Sequence, residues 1–319
     1  MLYKLLKVPA RLAIRLYCRK ISINNKNILE SGGPLLIASN HPNSFLDAII
    51  LATLFDKPIY SLTRGDTFKK KFYAALLNSM NMLPVYRMSE GAENLEENYK
   101  TFEKCKDIFK KNGIVLIFSE GRCINEWKLR PLKKGTARLA MSCWQEEIDL
   151  EIIPTAINYQ SFSSFGKNVQ INFGNIITEK EISATNGYGN TINDINKKLK
   201  QELKKITIEI DSSDEQTILK TFEVKQSFLK KIILFLPAAT GYMLHAPLYI
   251  PIQRFSWKKA KHIDHYDSVM VGLLFILYPF YLLLVSFAVY LAIGGYWWAS
   301  CFLLLPFCAW SFVQIKKQF

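Results

Sequence analysis

The segment Asn40-His41-Pro42-Asn43-Ser44-Phe45-Leu46-Asp47 sets an imidazole and a carboxylate six positions apart. At about 100° per residue, one straight helix would turn His41 and Asp47 to opposite sides. The two meet only if His41 lies in a loop and Asp47 in the first turn of the next helix. Pro42 and Ser44, a candidate N-cap, both favour that break. Asp47 would then accept a hydrogen bond from one ring nitrogen and fix the tautomer. The other nitrogen of His41 could take a proton from a hydroxyl. No serine or cysteine nucleophile motif accompanies the pair, so the hydroxyl is expected to come from a substrate.

A second group, Ser119-Glu120-Gly121-Arg122, follows a β-rich run and leads into a basic loop with Lys128, Arg130, Lys133 and Lys134. A glycine beside a glutamate and an arginine allows close approach of a phosphate, which the planar guanidinium holds well. Glu120 could bind a hydroxyl or steer Arg122. The plain alternative is a solvated basic loop, common in a chain of net charge +14. A third patch, Met82-Leu83-Pro84-Val85-Tyr86-Arg87, puts another arginine at the end of a β-rich run.

The elements that must position these residues alternate between residues 30 and 180. The patterns predict strands over 35–39, 59–62, 83–86, 114–119, 152–158 and 169–173, with helices over 45–55, 68–79, 94–111 and 136–145. A charged helix over 191–205 closes the unit. This order implies an α/β fold with a mixed, mostly covered sheet flanked by helices. Strand ends in such sheets are where ligands bind, which is where all three patches fall. No G-x-G-x-x-G or P-loop is present, no zinc spacing occurs, and no cofactor is expected. The six cysteines lack a C-x-x-C pair and read as thiols in a reducing compartment.

Half of the 319 residues are hydrophobic and the mean hydropathy is +0.06, high for so charged a chain. From Ser268 to Phe319 the only charges are Lys316 and Lys317, so the positive excess sits on the earlier residues. An anionic membrane surface, rather than nucleic acid, is its natural partner. Two uncharged runs, 271–295 and 297–315, are long enough for a membrane hairpin turning at Gly294-Gly295 and a Tyr296-Trp297-Trp298 cluster. A third apolar run, 232–252, carries Pro237, Pro247 and Pro251 and reads as interfacial or re-entrant. Were it to cross as well, Lys258, Lys259 and Lys261 would lie opposite the basic amino-terminal part. Lys4, Lys7, Arg11, Arg15 and Arg19, interleaved with apolar residues, read as a basic amphipathic helix in the headgroup layer.

Four ordered motifs across about residues 35–160 resemble the lysophospholipid acyltransferase superfamily. Asn40-His41 through Asp47 is similar to its N-H-x-x-x-x-D block, and Met82 to Arg87 to its second block. Phe118 to Arg122, with Leu132-Lys133-Lys134-Gly135-Thr136-Ala137-Arg138, resembles its F-P-E-G block and the run after it. Ile153-Pro154-Thr155-Ala156 resembles the fourth, proline-containing block. The resemblance implies a glycerophosphate acyltransferase-like fold, with His41 as general base and Asp47 orienting it. It implies that Arg87, Glu120, Gly121 and Arg122 bind a glycerophosphate and that Pro154 shapes the acyl-donor pocket. Ser119 stands where the family usually has proline, and Asn81 where it commonly has glycine. The carboxy-terminal region, with Leu236-Pro237 and Pro247 followed by a hydrophobic hairpin, looks like a branch related to glycerol-3-phosphate or dihydroxyacetone-phosphate acyltransferases.

The expected organisation is a membrane-interface helix (1–23), the acyltransferase domain (24–210), a linker (211–230), an interfacial or re-entrant segment (231–253) and a two-helix hairpin (268–319). The expected activity is acyl transfer from acyl-CoA or acyl-carrier protein to lysophosphatidic acid or glycerol 3-phosphate, on the cytoplasmic face of a membrane. Other readings are a non-phosphate lyso-lipid acceptor, or a non-catalytic lipid-binding protein of the same fold. The run His262-Ile263-Asp264-His265-Tyr266-Asp267 could suggest a metal-dependent hydrolase. Its place in a basic loop between apolar segments instead implies solvation among headgroups.

Overall fold

A computed structural model describes residues 2–86, 93–182 and 187–318. Its strands are β1 (Cys18–Ile23), β2 (Leu35–Ser39), β3 (Ile59–Arg64), β4 (Met82–Val85), β5 (Ile114–Phe118), β6 (Glu151–Tyr159) and β7 (Lys167–Phe173). They form one sheet in the order β1-β7-β6-β2-β5-β3-β4, with every pair parallel except β6 with β7. All six expected strands form. β2 sits between β5 and β6, and its Leu-Leu-Ile-Ala-Ser run is buried throughout, as a central parallel strand must be.

Alternation along the strands builds two cores. Leu35, Ile37, Ile114, Leu116 and Ile153 face one side, where α1 (Leu2–Tyr17), α2 (Phe45–Leu54) and parts of the carboxy-terminal helices pack. Leu36, Ala38, Val115, Ile117 and Ile152 face the other, covered by α4 (Glu93–Lys110), α5 (Gly135–Trp144) and α6 (Tyr188–Ile206). A short helix, α3 (Lys71–Ser79), leads into β4 and buries none of its side chains. It starts three residues later than the pattern predicts, because 65–68 form a 3-10 turn.

The amino-terminal expectation needs two corrections. The helix ends at Tyr17, and residues 18–23 are the edge strand β1. Nor does its basic face simply meet solvent or headgroups. Lys7 Nζ donates to the carbonyls of Phe55 and Asp56, at 2.6 and 2.7 Å, and Arg11 Nε to that of Thr53 at 2.7 Å. These cations satisfy the bare carbonyl end of α2. Leu5, Val8 and Leu12 are left on the outside.

The expected linker holds a helix, α7 (Glu215–Phe222), with Phe222 buried and its carbonyl accepting from Asn168 Nδ2 on β7. Then come α8 (Phe228–Ala260), α9 (Tyr266–Ile293) and α10 (Cys301–Ile315). The expected hairpin is α9 and α10, turning at Gly294 and Gly295, whose φ values are 73° and 62°. The stretch with three prolines is a continuous 33-residue helix. Among the described residues, three helical segments are thus long and apolar enough to cross a membrane. Gly241 lets α8 and α10 touch backbone to backbone, since a Cβ there would lie 2.3 Å from the Cys308 carbonyl oxygen.

Candidate active site

The site forms where β2 and β5 end side by side. Ser119 N–H donates to Ser39 O at 2.8 Å, continuing the ladder past β5 with a bond that proline could not make. Asn40 then imitates a strand partner. Its amide accepts from Ile157 N–H at 2.8 Å and donates to Ile157 O at 3.2 Å, which fixes the exit from β2. His41 lies in the loop beyond, and Asp47 in the first turn of α2, as the spacing requires.

His41 Nδ1 and Asp47 Oδ2 are 2.9 Å apart. Asp47 is fully buried, and the same oxygen accepts Asn43 N–H at 2.8 Å while the other accepts the Tyr159 hydroxyl at 2.8 Å. An ionised carboxylate only accepts, as this one does from Asn43 and Tyr159, so its contact with His41 puts the imidazole proton on Nδ1 and the lone pair on Nε2. Burial and the adjacent Asp47 charge push the Tyr159 pKa well up, which keeps that hydroxyl a donor. The His41 ring stacks on Phe118, with centroids 3.9 Å apart and planes 13° apart, and keeps 19% of its side chain exposed. Its outer nitrogen can be reached.

Ser44 does not cap α2. It occupies the N-cap position at φ 51°, away from the extended conformation that normally aims a cap side chain at the helix, and makes no side-chain cap bond. The Ser44 N–H goes to Cys123 Sγ at 2.9 Å, and the Phe45 N–H goes to Ser268 Oγ at 3.1 Å. The start of α2 is therefore held by the first turn of α9.

Glu120 is buried directly beside the pair. Its oxygens accept His41 N–H at 3.0 Å and Arg130 N–H at 2.9 Å, so it ties both loops together through their backbones. Burial raises its pKa despite those two bonds. Gly121, at φ 66°, turns the chain into the basic loop, where Arg122, Lys128, Lys133 and Lys134 are exposed. Pro154 is buried within β6, opposite Ala38, and accepts from Gly174 N–H at 2.8 Å. Arg87 lies outside the described residues. Asn81 adopts φ 59°, a conformation that Asn tolerates better than most residues and that glycine fills without strain.

Sequence reasoning missed a buried network behind this loop. Asp267, in the first turn of α9, is fully buried and not solvated among headgroups as expected. It accepts from Lys167 Nζ, from the Tyr17 hydroxyl and, at 2.6 Å, from Asn43 Nδ2. Tyr159, Tyr17 and Lys167 carry no local motif, and Asn43 falls at an unspecified position of the Asn40–Asp47 block. Only a charge placed next to a long apolar run, as Asp267 is, offered a signal. On the other side of α2, an apolar groove with about 520 Å³ of open space runs between α1, α2 and β4. Leu6, Ala10, Phe45, Ala48, Ile49 and Met82 are among its walls.

A buried carboxylate, an imidazole oriented by it and an exposed basic loop form an arrangement that can take a proton from a hydroxyl next to an anion. Residues 20–158, which contain His41, Asp47, Glu120 and the basic loop, match the family model described as Acyltransferase. The matched stretch thus resembles an acyltransferase domain and covers somewhat less than half of the chain. Among solved structures it is similar to the 1-acyl-sn-glycerophosphate (LPA) acyltransferase PlsC from Thermotoga maritima. The identity is 13% and the TM-score 0.45, over 70% of this chain and 81% of that one. No curated protein sequence matches it.

Proposed function

We propose that this protein is a membrane-bound O-acyltransferase that moves a fatty acyl group from acyl-CoA or acyl-carrier protein to a hydroxyl of lysophosphatidic acid or glycerol 3-phosphate. The observation that carries the reading is the His41–Asp47 bond of 2.9 Å, with the His41 backbone tied to Glu120 at the start of the basic loop. The acceptor oxygen attacks the thioester carbonyl as its proton passes to His41 Nε2. The tetrahedral adduct then breaks its C–S bond, and the same proton neutralises the departing thiolate. Arg122, Gly121 and Arg87 bind the acceptor phosphate, Pro154 shapes the donor site, and Glu120 fixes the loop that presents His41. The groove beside Phe45, four residues from the base, suits an acyl chain.

The same reading places the catalytic domain on the cytoplasmic membrane face. Arg19, on the domain's edge strand, donates to the carbonyls of Val313 and Lys316 at the end of α10, and Asp267 holds the start of α9. A hairpin that leaves the domain and returns to it fits two crossings. Both ends of α8 also stay with the domain side, through Lys230 to Gln314 at 2.7 Å and through the turn at Asp264 beside Cys123. That supports α8 lying in the interface plane, without a third crossing.

The test is transfer of radiolabelled acyl-CoA or acyl-carrier-protein acyl groups by the full protein in detergent, with glycerol 3-phosphate and lysophosphatidic acid in separate tubes. Label should enter lysophosphatidic or phosphatidic acid and disappear with His41→Ala, a loss of at least about 100-fold. Arg122→Ala should raise the acceptor KM and leave the donor KM alone. No product with either acceptor would move the reading to a non-phosphate lyso-lipid, and retained turnover in His41→Ala would sink the general base.

A further inference from the structure

The first turn of α9 reaches the catalytic loop at two points. Asp267 accepts from Asn43 Nδ2 at 2.6 Å, and Ser268 Oγ accepts from Phe45 N–H at 3.1 Å. Asn43 is the bridge. Its side chain is held by Asp267 while its backbone N–H donates at 2.8 Å to Asp47 Oδ2, the oxygen that also holds His41 Nδ1. Asn43 and Asp267 are both fully buried, so water does not compete for these bonds. Behind them Lys167 and Tyr17 hold Asp267 from β7 and from the end of α1, and each is within 2% of complete burial.

We propose that Asp267 and Ser268 are positioning residues for the general base, so that the carboxy-terminal apolar helices are a working part of the active site as well as its anchor. The inference rests on the acyltransferase reading of His41. A buried ion pair is a poor source of stability compared with apolar packing of equal volume, and its better-attested use is to select one arrangement. Here the arrangement selected is the turn at Asn43 and Ser44. Ser44 has a positive φ of 51°, and its own side chain does not cap the helix that carries Asp47. Without the α9 contacts, the Asn43 side chain loses its acceptor and the Phe45 N–H its cap. The loop then gains room to move relative to Asp47. A misplacement on the order of 1 Å costs about 100-fold in a positioned reaction.

The experiment uses the full protein in liposomes and three variants. Asn43→Ala removes the bridge and Ser268→Ala removes the cap. Asp267→Leu alone would strand the buried Lys167 charge and could fail to fold, so Tyr17→Phe/Lys167→Met/Asp267→Leu replaces the whole polar triad by apolar groups of similar size. Two readouts are taken at one pH on variants whose melting transition and membrane insertion are retained. The first is kcat and KM for both substrates. The second is the 15N solid-state spectrum of histidine-labelled protein, with His41 assigned by difference from His41→Ala among the four histidines. The second needs no substrate, so it stands even if the acceptor proves different.

In the wild type His41 should show a protonated Nδ1 and a bare Nε2. Asn43→Ala and the triple variant should show mixed tautomers, with kcat lowered roughly 10–100-fold and each KM within about twofold of wild type. Ser268→Ala should lower kcat by about threefold to tenfold, consistent with the loss of one backbone cap. An unchanged His41 tautomer together with an unchanged kcat in the folded triple variant would overturn the proposal. A tautomer that shifts as expected in a protein with no acyl transfer would leave the positioning role standing and reject the reaction instead.

Discussion

At the residue scale the sequence motif brings His41 and Asp47 together but does not show what holds them. The spacing of His41 and Asp47 implies a loop followed by a helix, and the bond between them follows from that geometry alone. Glu120 illustrates the limit. The sequence leaves open whether it binds a hydroxyl or steers Arg122, because which donors meet its oxygens depends on strand order. In the fold both oxygens are taken by backbone N–H groups. Its burial has a measurable consequence, because its pKa is raised, so the folded state holds that proton to a higher pH than the unfolded chain. Through this group, stability is fully present below the unfolded carboxyl value of about 4.3 and declines as pH rises through the folded value. Glu120→Gln abolishes that decline at the constant cost of meeting a backbone donor with an amide NH2. The difference in melting temperature between wild type and variant, followed upward from pH 4, should therefore fall and then level off. A difference that grows with pH would mean that the carboxylate is stabilised as an ion, contrary to the assigned direction.

At the element scale the strands were legible because each is a short apolar run between turn residues, while the central place of β2 and β5 came only with the strand order. The edge strand β1 was not legible. Cys18 to Ile23 continues the basic and apolar alternation of α1, and only pairing with β7, some 150 residues away in the chain, makes it a strand. The inward turn of Lys7 and Arg11 was equally hidden. An amphipathic pattern says that a face is basic, not that the carbonyl end of another helix will meet it. Those bonds make α1 a cap for α2. Replacing both residues by methionine keeps the aliphatic stems and removes the charge, leaving the carbonyls of Thr53, Phe55 and Asp56 without cationic donors. The expected loss is about 1–2 kcal/mol of stability, read as a lower melting temperature of the detergent-solubilised protein. An unchanged transition would show that water serves those carbonyls as well.

At the scale of the whole molecule, charge and apolar surface must be satisfied by the same neighbour. The chain carries +14, yet its outer surface near the groove is oily. Leu5, Val8 and Leu12 on α1 are 71%, 64% and 56% exposed. On α3, Phe72, Tyr73 and Leu76 stand out beside the exposed Lys69, Lys70 and Lys71, a patch that sequence patterning had assigned to an ordinary domain helix. Apolar residues ringed by lysine fit the boundary between acyl chains and anionic headgroups. With α9 and α10 long and apolar enough to hold the protein in a bilayer, these surfaces are not needed to keep it there. Their effect should lie in how the domain is held against the lipid, and hence in how easily a membrane-borne acceptor enters. Leu5→Ser/Val8→Ser/Leu12→Ser leaves the groove walls Leu6 and Ala10 untouched. Reconstituted in vesicles containing an anionic phospholipid, it should need about tenfold more acceptor per unit of lipid surface for half-maximal rate. That is about 1.4 kcal/mol, below the roughly 2 kcal/mol that burying a single leucine contributes. With a short-chain, water-soluble acceptor in detergent the same variant should match the wild type. An equal defect in both assays would place the fault inside the domain, and no defect in either would mean that the hairpin alone sets its position.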